Sequence, residues 1–345
     1  MARNIDLRSD TCTLQPEGMK EAMFKAKVGD EYYNDDPTII ELQELAAEML
    51  GKEAGLFVAS GTMGNLVAIL SQTNRGDVVI EEADSHSFRN EVSNYAVVGG
   101  VAPKQIKGHL GAMGPADIEA AIPPKGYGNP MASLLLIENS HNAAGGTCIT
   151  PEQMSGYRKL ADKYKLNIHV DGARIFNSAI ALGVDPAELA KDADTLSFCL
   201  SKGLSCPFGG IVVGSKEILS RARKYKQMVG GGFRQMGYMA ACGIYALNNM
   251  VGRLAEDHEN AKLLAKGLVE LGMDVEMESV QTNMVYFNFP PSLIDANEFC
   301  EKINSHKGIQ MSAPKKNRIR LVTHYGIEKE DVEYFLNVVK EILNV

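Results

Sequence analysis

The feature that most limits how this chain folds is the alternation of short apolar, β-branched runs with longer amphipathic stretches. GLFVAS (55–60), VVIEE (78–82), SLLLIE (133–138), LNIHVD (166–171), DTLSFCL (194–200) and GGIVVG (209–214) read as strands. Parallel strands need long crossovers, and the segments between these runs are long enough to supply them. The pattern therefore predicts an α/β fold around a mostly parallel sheet. The best-marked helix follows Asp36-Pro37, where Asp36 suits the cap, Pro37 the first turn and Gly51 the end. A second helix is predicted over 151–165.

After about residue 250 the texture changes. A helix over 254–271, a strand at 282–289, a helix at 296–306, a strand at 318–324 and a last helix at 328–344 describe a smaller α/β unit. The expected division is a large domain with an N-terminal arm (1–250) and a small C-terminal domain (251–345). The formal charge of −8 gives no basic field for nucleic acid. Six scattered cysteines form no C-x-x-C pair and fit thiols in a reducing compartment. The N-terminus reads as no signal peptide and no run of 18 apolar residues occurs, so a cytoplasmic protein without a membrane partner is expected.

Three positions carry candidate chemistry, each just past a strand. Ser60-Gly61-Thr62-Met63-Gly64-Asn65 lies where a strand should pass into a helix. Backbone N–H groups there, with the Thr62 hydroxyl, suit a phosphate; a plain glycine-containing turn with Thr62 as helix cap suits them too. It is neither a P-loop nor a G-x-G-x-x-G turn. His169-Val170-Asp171-Gly172-Ala173-Arg174 puts a carboxylate at the C-terminal end of a strand, where open α/β sheets bind ligands. Asp171 there suits the protonated nitrogen of a pyridine cofactor; a capping role, or metal ligation with His169 on the same strand face, also fits. Ser201-Lys202-Gly203 places a lysine directly after a buried strand, fit for a Schiff base with an aldehyde or for simple exposure. Asp171 and Lys202 are 31 residues apart, room for one helix and one strand, which sets both on one sheet edge. A phosphate turn, a pyridine-facing carboxylate and a Schiff-base lysine, in that order, is the order of the aminotransferase-like pyridoxal-phosphate enzymes. These residues alone leave the reaction open.

Nine segments carry a more specific likeness: DLRSDT (6–11), GDEYYNDDPT (29–38), GKEAGLFVASGTMGN (51–65), SHSFRNE (85–91), ENSHNAAGG (138–146), HVDGAR (169–174), LSKGLSCPFGG (200–210), GGGFRQMG (230–237) and RLVTH (320–324). Through them the chain resembles the low-specificity L-threonine aldolases of the β-eliminating lyase group. The resemblance implies the aminotransferase-like fold (fold type I) and pyridoxal 5'-phosphate as cofactor. It also implies retro-aldol cleavage of L-threonine, L-allo-threonine and related β-hydroxy-α-amino acids to glycine and an aldehyde. By the same resemblance, Lys202 holds the cofactor, Asp171 faces its pyridine nitrogen, and Gly61, Thr62 and Ser201 bind its phosphate. His86 stacks on the ring, His141 lies beside the substrate β-hydroxyl, and Ser9, Arg174 and Arg320 bind the substrate carboxylate. A homodimer or homotetramer with shared sites is implied, with Tyr33 contributing to the neighbour's site and Arg234 to its phosphate. No metal site is expected.

The sequence departs from the family pattern at three places. Asn34 stands where a glycine is common. Gln227 stands where some members carry a phosphate-binding lysine, with Lys224 and Lys226 as substitutes nearby. The stretch 82–87 is more acidic than expected beside a ring-stacking histidine. The same cofactor also supports β-elimination, transamination and racemisation. A non-catalytic cofactor-binding protein is the reading from another class, and retention of Lys202, Asp171, Arg174, Arg320 and both histidines argues against it.

Overall fold

A computed structural model describes residues 4–290, 294–306 and 308–344. The strands, in chain order, are β1 (Ile5–Asp6), β2 (Ala54–Val58), β3 (Val78–Glu82), β4 (Ala102–Ile106), β5 (Ala132–Glu138), β6 (Asn167–Asp171), β7 (Thr195–Cys199), β8 (Gly210–Gly214), β9 (Asp274–Val275), β10 (Met284–Asn288), β11 (Ile309–Gln310) and β12 (Arg318–Val322). Seven of them form the main sheet in the order β2-β8-β7-β6-β5-β3-β4. β8 runs antiparallel to both its neighbours, and the other pairings are parallel. The predicted mostly parallel sheet is therefore present, with β8 as its reversed strand.

Alternation along the strands sends side chains to two helical layers. Phe57, Ile80, Leu135, Ile137, Ile168, Val170, Ile211 and Val213 pack on one face with helices Pro37–Met49, Pro151–Tyr164 and Gly237–Asn249. Leu56, Val58, Val79, Leu134, Leu136 and Val212 pack on the other, under helix Gly61–Gln72 and, beside β8, helix Lys216–Met228. A sheet buried on both faces needs near-continuous apolar strands, which is why those runs stood out in the sequence. The predicted helix caps hold: Asp36 accepts from the N–H groups of Thr38 and Ile39 at 3.1 Å, and Gly51 follows the helix with φ +60°. β4 had no sequence signal. Its residues APKQI are mostly exposed, and an edge strand needs no apolar alternation.

A second apolar cluster joins Ile5 and Leu7 to residues from Ala261 to Val339. It lies with the three-stranded sheet β12-β10-β9 and the β1-β11 pair. The N-terminal arm thus docks on C-terminal elements: the Val322 N–H donates to Leu7 O and the Leu7 N–H to Gln310 O. No helix among the described residues is long and apolar enough to cross a membrane.

Candidate active site

The C-terminal ends of β2, β3, β5, β6 and β7 open on one edge of the sheet, and their following segments supply most of the expected site residues. Asp171 closes β6 and is buried. Its carboxylate accepts from Asn65 Nδ2 at 2.9 Å and from the Ala173 N–H at 3.1 Å. Asn65 is itself held by Ser197 Oγ at 2.6 Å and His169 Nε2 at 3.1 Å, and His169 Nδ1 meets Thr195 Oγ1 at 2.8 Å. Burial pushes His169 down to about 4. Both of its nitrogens are engaged, so His169 supports Asn65 and is not a metal ligand beside Asp171.

His86 begins the short helix after β3 and is half-buried. Its Nδ1 lies 3.4 Å from Glu91 Oε1, and His86, Glu91 and Asp171 place ligating atoms within 4.8 Å of one another. Lys202, half-buried in the turn after β7, acts electrostatically on both His86 and Asp10. Its amine makes no hydrogen bond or ion pair with the described residues. Asp171, His86 and Lys202 are therefore neighbours, as a pyridoxal site requires.

Helix Gly61–Gln72 begins beside this group. Ser60 is its cap, its Oγ accepting from the Met63 N–H at 3.2 Å, so Thr62 is not the cap. The N–H groups of Gly61 and Thr62 lie in the first turn, where no helix carbonyl reaches them. A Cβ at Gly61 would stand 2.5 Å from Cys199 Sγ, so a side chain there would have to displace that thiol. Open donors at a 12-residue helix start, with Thr62 exposed and Ser201 in the adjacent turn, fit a phosphate.

The expected carboxylate-binding residues form a second group. Arg174 is buried and grips Asp10 in a bidentate pair, Nε to Oδ2 at 2.6 Å and the second nitrogen to Oδ1 at 2.7 Å. Burial would raise the Asp10 carboxyl, but Arg174 outweighs it and holds it well below the usual carboxylate range. Ser9 Oγ lies 3.4 Å from Asp10 Oδ1. Arg320 on β12 donates to Asn142 Oδ1 at 2.8 Å and to Arg8 O at 3.1 Å, and it pairs with no carboxylate among the described residues. An unneutralised guanidinium beside Ser9 and His141's neighbour Asn142 suits a small carboxylate.

Asp10→Asn is expected to lower unfolding free energy by about 3–5 kcal/mol, because it leaves Arg174 buried without its counter-charge. Urea unfolding of the two proteins side by side measures this. A midpoint within experimental error of the parent rules out a stabilising role for the pair.

His141, in the turn after β5, is buried. Its Nε2 faces Glu82 Oε2 at 3.1 Å and Glu138 Oε2 at 3.6 Å, while its Nδ1 lies 3.3 Å from the Ala144 N–H. Burial disfavours the charged ring, but Glu138 and Glu82 override it and raise His141 to about 9. In either charge state Nε2 carries a proton directed at Glu82. Gly111, with φ +83°, covers the ring, since a Cβ there would meet His141 Cβ at 2.5 Å. The acidic stretch after β3 has a structural explanation. Glu81 accepts from Ser85, Ser87 and Tyr95, and Glu82 from His141 and the Gly108 N–H.

Tyr33 and Arg234 make their contacts with their own loops and not with this cluster, among the described residues. Tyr33 is 74% exposed and packs edge-on against Tyr32, with centroids 5.2 Å apart. The exposed Arg234 lies over Tyr32 at 5.4 Å, its Nε 3.8 Å from Asp30 Oδ2. Asn34 adopts φ +59°, the conformation a glycine would take there. Lys226 is buried, with its amine 2.9 Å from Glu31 Oε1, so it is committed within this loop pair. Asp10, Asn65, Glu82, Glu91 and Glu138 were missed as site residues. Each but Glu82 sat inside a family-like segment, but none carried a local signal for its partner.

A family model described as Beta-eliminating lyase matches residues 6–290. The chain is 39% identical to the probable low-specificity L-threonine aldolase 2 of Arabidopsis thaliana, over 99% of this chain and 98% of that one. It is also 39% identical to the low specificity L-threonine aldolase of Escherichia coli (strain K12), over 95% and 96%. Among solved structures, a Leishmania major threonine aldolase matches with a TM-score of 0.83 at 19% identity, covering 98% of this chain and 99% of that one. A putative L-allo-threonine aldolase from Listeria monocytogenes matches with a TM-score of 0.82 at 19% identity, over 98% and 96%.

Proposed function

Because the chain belongs to the β-eliminating lyase family, among its low-specificity L-threonine aldolases, we propose that it cleaves L-threonine, L-allo-threonine and related β-hydroxy-α-amino acids to glycine and an aldehyde, with pyridoxal 5'-phosphate as cofactor. The observation that carries this is the placing of Lys202, Asp171 and His86 together at the sheet edge, beside a carboxylate-binding group of Ser9, Arg174 and Arg320. The fold is the aminotransferase-like one, with residues 1–250 as the cofactor-binding domain and 251–345 as the small domain.

When bound, the cofactor supplies an aldehyde that an amine can hold and a protonated ring that takes up the electron pair left as Cα–Cβ breaks. Lys202 holds that aldehyde between turnovers. Asp171, fixed by Asn65 and the Ala173 N–H, keeps the ring nitrogen protonated. Gly61, Thr62 and Ser201 take the phosphate, and His86 stacks on the ring. Arg174, Arg320 and Ser9 would hold the substrate carboxylate and so fix the orientation of the Cα substituents, which decides the bond that breaks. His141 would lie beside the β-hydroxyl. With Nε2–H directed at Glu82 and the Ala144 N–H at Nδ1, it is poorly placed to accept the hydroxyl proton.

The purified protein is expected to be yellow, and borohydride to fix the cofactor to the peptide containing Lys202. A label on another lysine overturns the assignment. Six unpaired cysteines suit the reducing cytosol.

The catalytic unit is a homodimer, paired further into a tetramer, in which Tyr33 and Arg234 complete the neighbour's site. Their exposure, and the lack of any contact between them and this chain's own cluster among the described residues, support this. Arg234→Ala should weaken cofactor binding and Lys202→Ala should abolish covalent attachment, each alone nearly inactive. Subunit exchange between the two should restore up to one intact site per mixed dimer. No recovery after verified exchange contradicts shared sites.

A further inference from the structure

We propose that Glu138 is a positioning residue that sets both site histidines, His86 and His141, in one frame. The proposal rests on the aldolase reading for its catalytic consequence, but not for its geometry. Glu138 ends β5, paired in register with Asp171 on β6, and is buried. Its two oxygens serve two different segments. Oε2 accepts the His86 N–H at 2.8 Å, and Oε1 accepts the Asn142 N–H, next to His141, at 2.7 Å. The same Oε2 stands 3.6 Å from His141 Nε2. One carboxylate thus joins the loop after β3 to the turn after β5, across two adjacent strands.

The other acids nearby do less. Glu82 bonds the His141 ring but not His86, and Glu81 holds Ser85 and Ser87 but neither histidine. Glu91 approaches His86 alone, at 3.4 Å. Glu138 is the one acid among the described residues with contacts to both. The chemistry requires a carboxylate there. Two backbone N–H donors converge on the side chain, with the His141 ring 3.6 Å away, and an ionised carboxylate presents only acceptors. The isosteric glutamine has one acceptor oxygen, so its NH2 must face either the His86 or the Asn142 N–H. Donor against donor forces one of the two segments to move, and loss of the charge that acts on both His86 and His141 reaches the other ring as well. Aspartate is one methylene shorter and cannot span both donors from the same backbone position.

A displacement on the order of 1 Å in a group that orients substrate costs up to roughly 100-fold in rate. Glu138→Gln is therefore expected to cut kcat for threonine cleavage by roughly 10- to 100-fold while the cofactor stays bound, and to change the ratio of activities on L-threonine and L-allo-threonine.

The experiment compares parent, Glu138→Gln and Glu82→Gln proteins. In each, the histidine side-chain 1H–15N resonances are recorded without cofactor, the visible circular dichroism of the cofactor band with it, and kcat and KM on both diastereomers. The expected result is that Glu138→Gln moves the His86 and His141 resonances together and alters the cofactor band, while Glu82→Gln moves only His141. If neither resonance moves in folded Glu138→Gln, or only one does, the proposal fails, whatever the rates. If Glu138→Gln does not fold, Glu138→Asp takes its place with the same expectations. A parent protein that leaves threonine intact defeats the aldolase reading instead, and the resonances still decide the role of Glu138.

Discussion

Lys202→Ala protein is expected to lose threonine cleavage by roughly 10³-fold or more while remaining as stable as the parent. The first half follows from chemistry. Lys202 is the amine at the sheet edge beside Asp171 and His86, and on the proposed reading it would be the group that holds the cofactor aldehyde. The second half follows from packing. The Lys202 amine makes no hydrogen bond or ion pair with the described residues, so its removal strands no buried partner. Half-exposed positions of this kind usually change stability by no more than about 0.5 kcal/mol. Kinetics on both diastereomers, with urea unfolding of the same preparations, check the pair of expectations. Activity within tenfold of the parent contradicts the role of Lys202.

Asp171→Ala is expected to lower kcat by roughly 10²- to 10³-fold, the cost of removing one preorganised charge aimed at the reacting system. KM for the amino acid should change far less, since Arg174 and Arg320 lie in the separate group built on Asp10, Arg8 and Asn142. Asp171→Asn keeps the shape and removes the charge, so it should resemble the alanine variant in kcat and retain more cofactor. Asn65 keeps a second acceptor in Glu91 Oε1 at 3.0 Å, which limits collateral rearrangement. Near-normal turnover by cofactor-loaded Asp171→Ala contradicts its role.

The sheet was legible because its central strands are apolar on both faces, and the predicted segments 78–82, 133–138 and 166–171 fall on β3, β5 and β6. β4 was not, because half-exposed APKQI has no periodicity to detect. The placing of Asp171 and Lys202 at one edge of the sheet was legible because one ends a strand and the other follows the next. What gives those residues their setting was hidden. Arg174 finds Asp10 across 164 residues, Asp171 finds Asn65 across 106, and His86 finds Glu138 across 52. Such contacts are set by how the layers pack, and no local pattern encodes them. The acidity after β3 looked unfavourable for a ring-stacking histidine; in the fold those carboxylates hold hydroxyls, backbone N–H groups and the second histidine. The N-terminal arm was legible as a motif, but its docking on the C-terminal cluster through Ile5 and Leu7 was not.

The reaction itself is tested most directly by product stoichiometry. Purified, cofactor-loaded protein is incubated with L-threonine and, separately, with L-allo-threonine, and all amino-acid and carbonyl products are quantified. Retro-aldol cleavage predicts glycine and acetaldehyde in equal amounts from at least one diastereomer, with none formed by Lys202→Ala protein. Ammonia with a 2-oxo acid, inversion at Cα, or a single turnover that leaves the cofactor aminated, each without glycine, would contradict it.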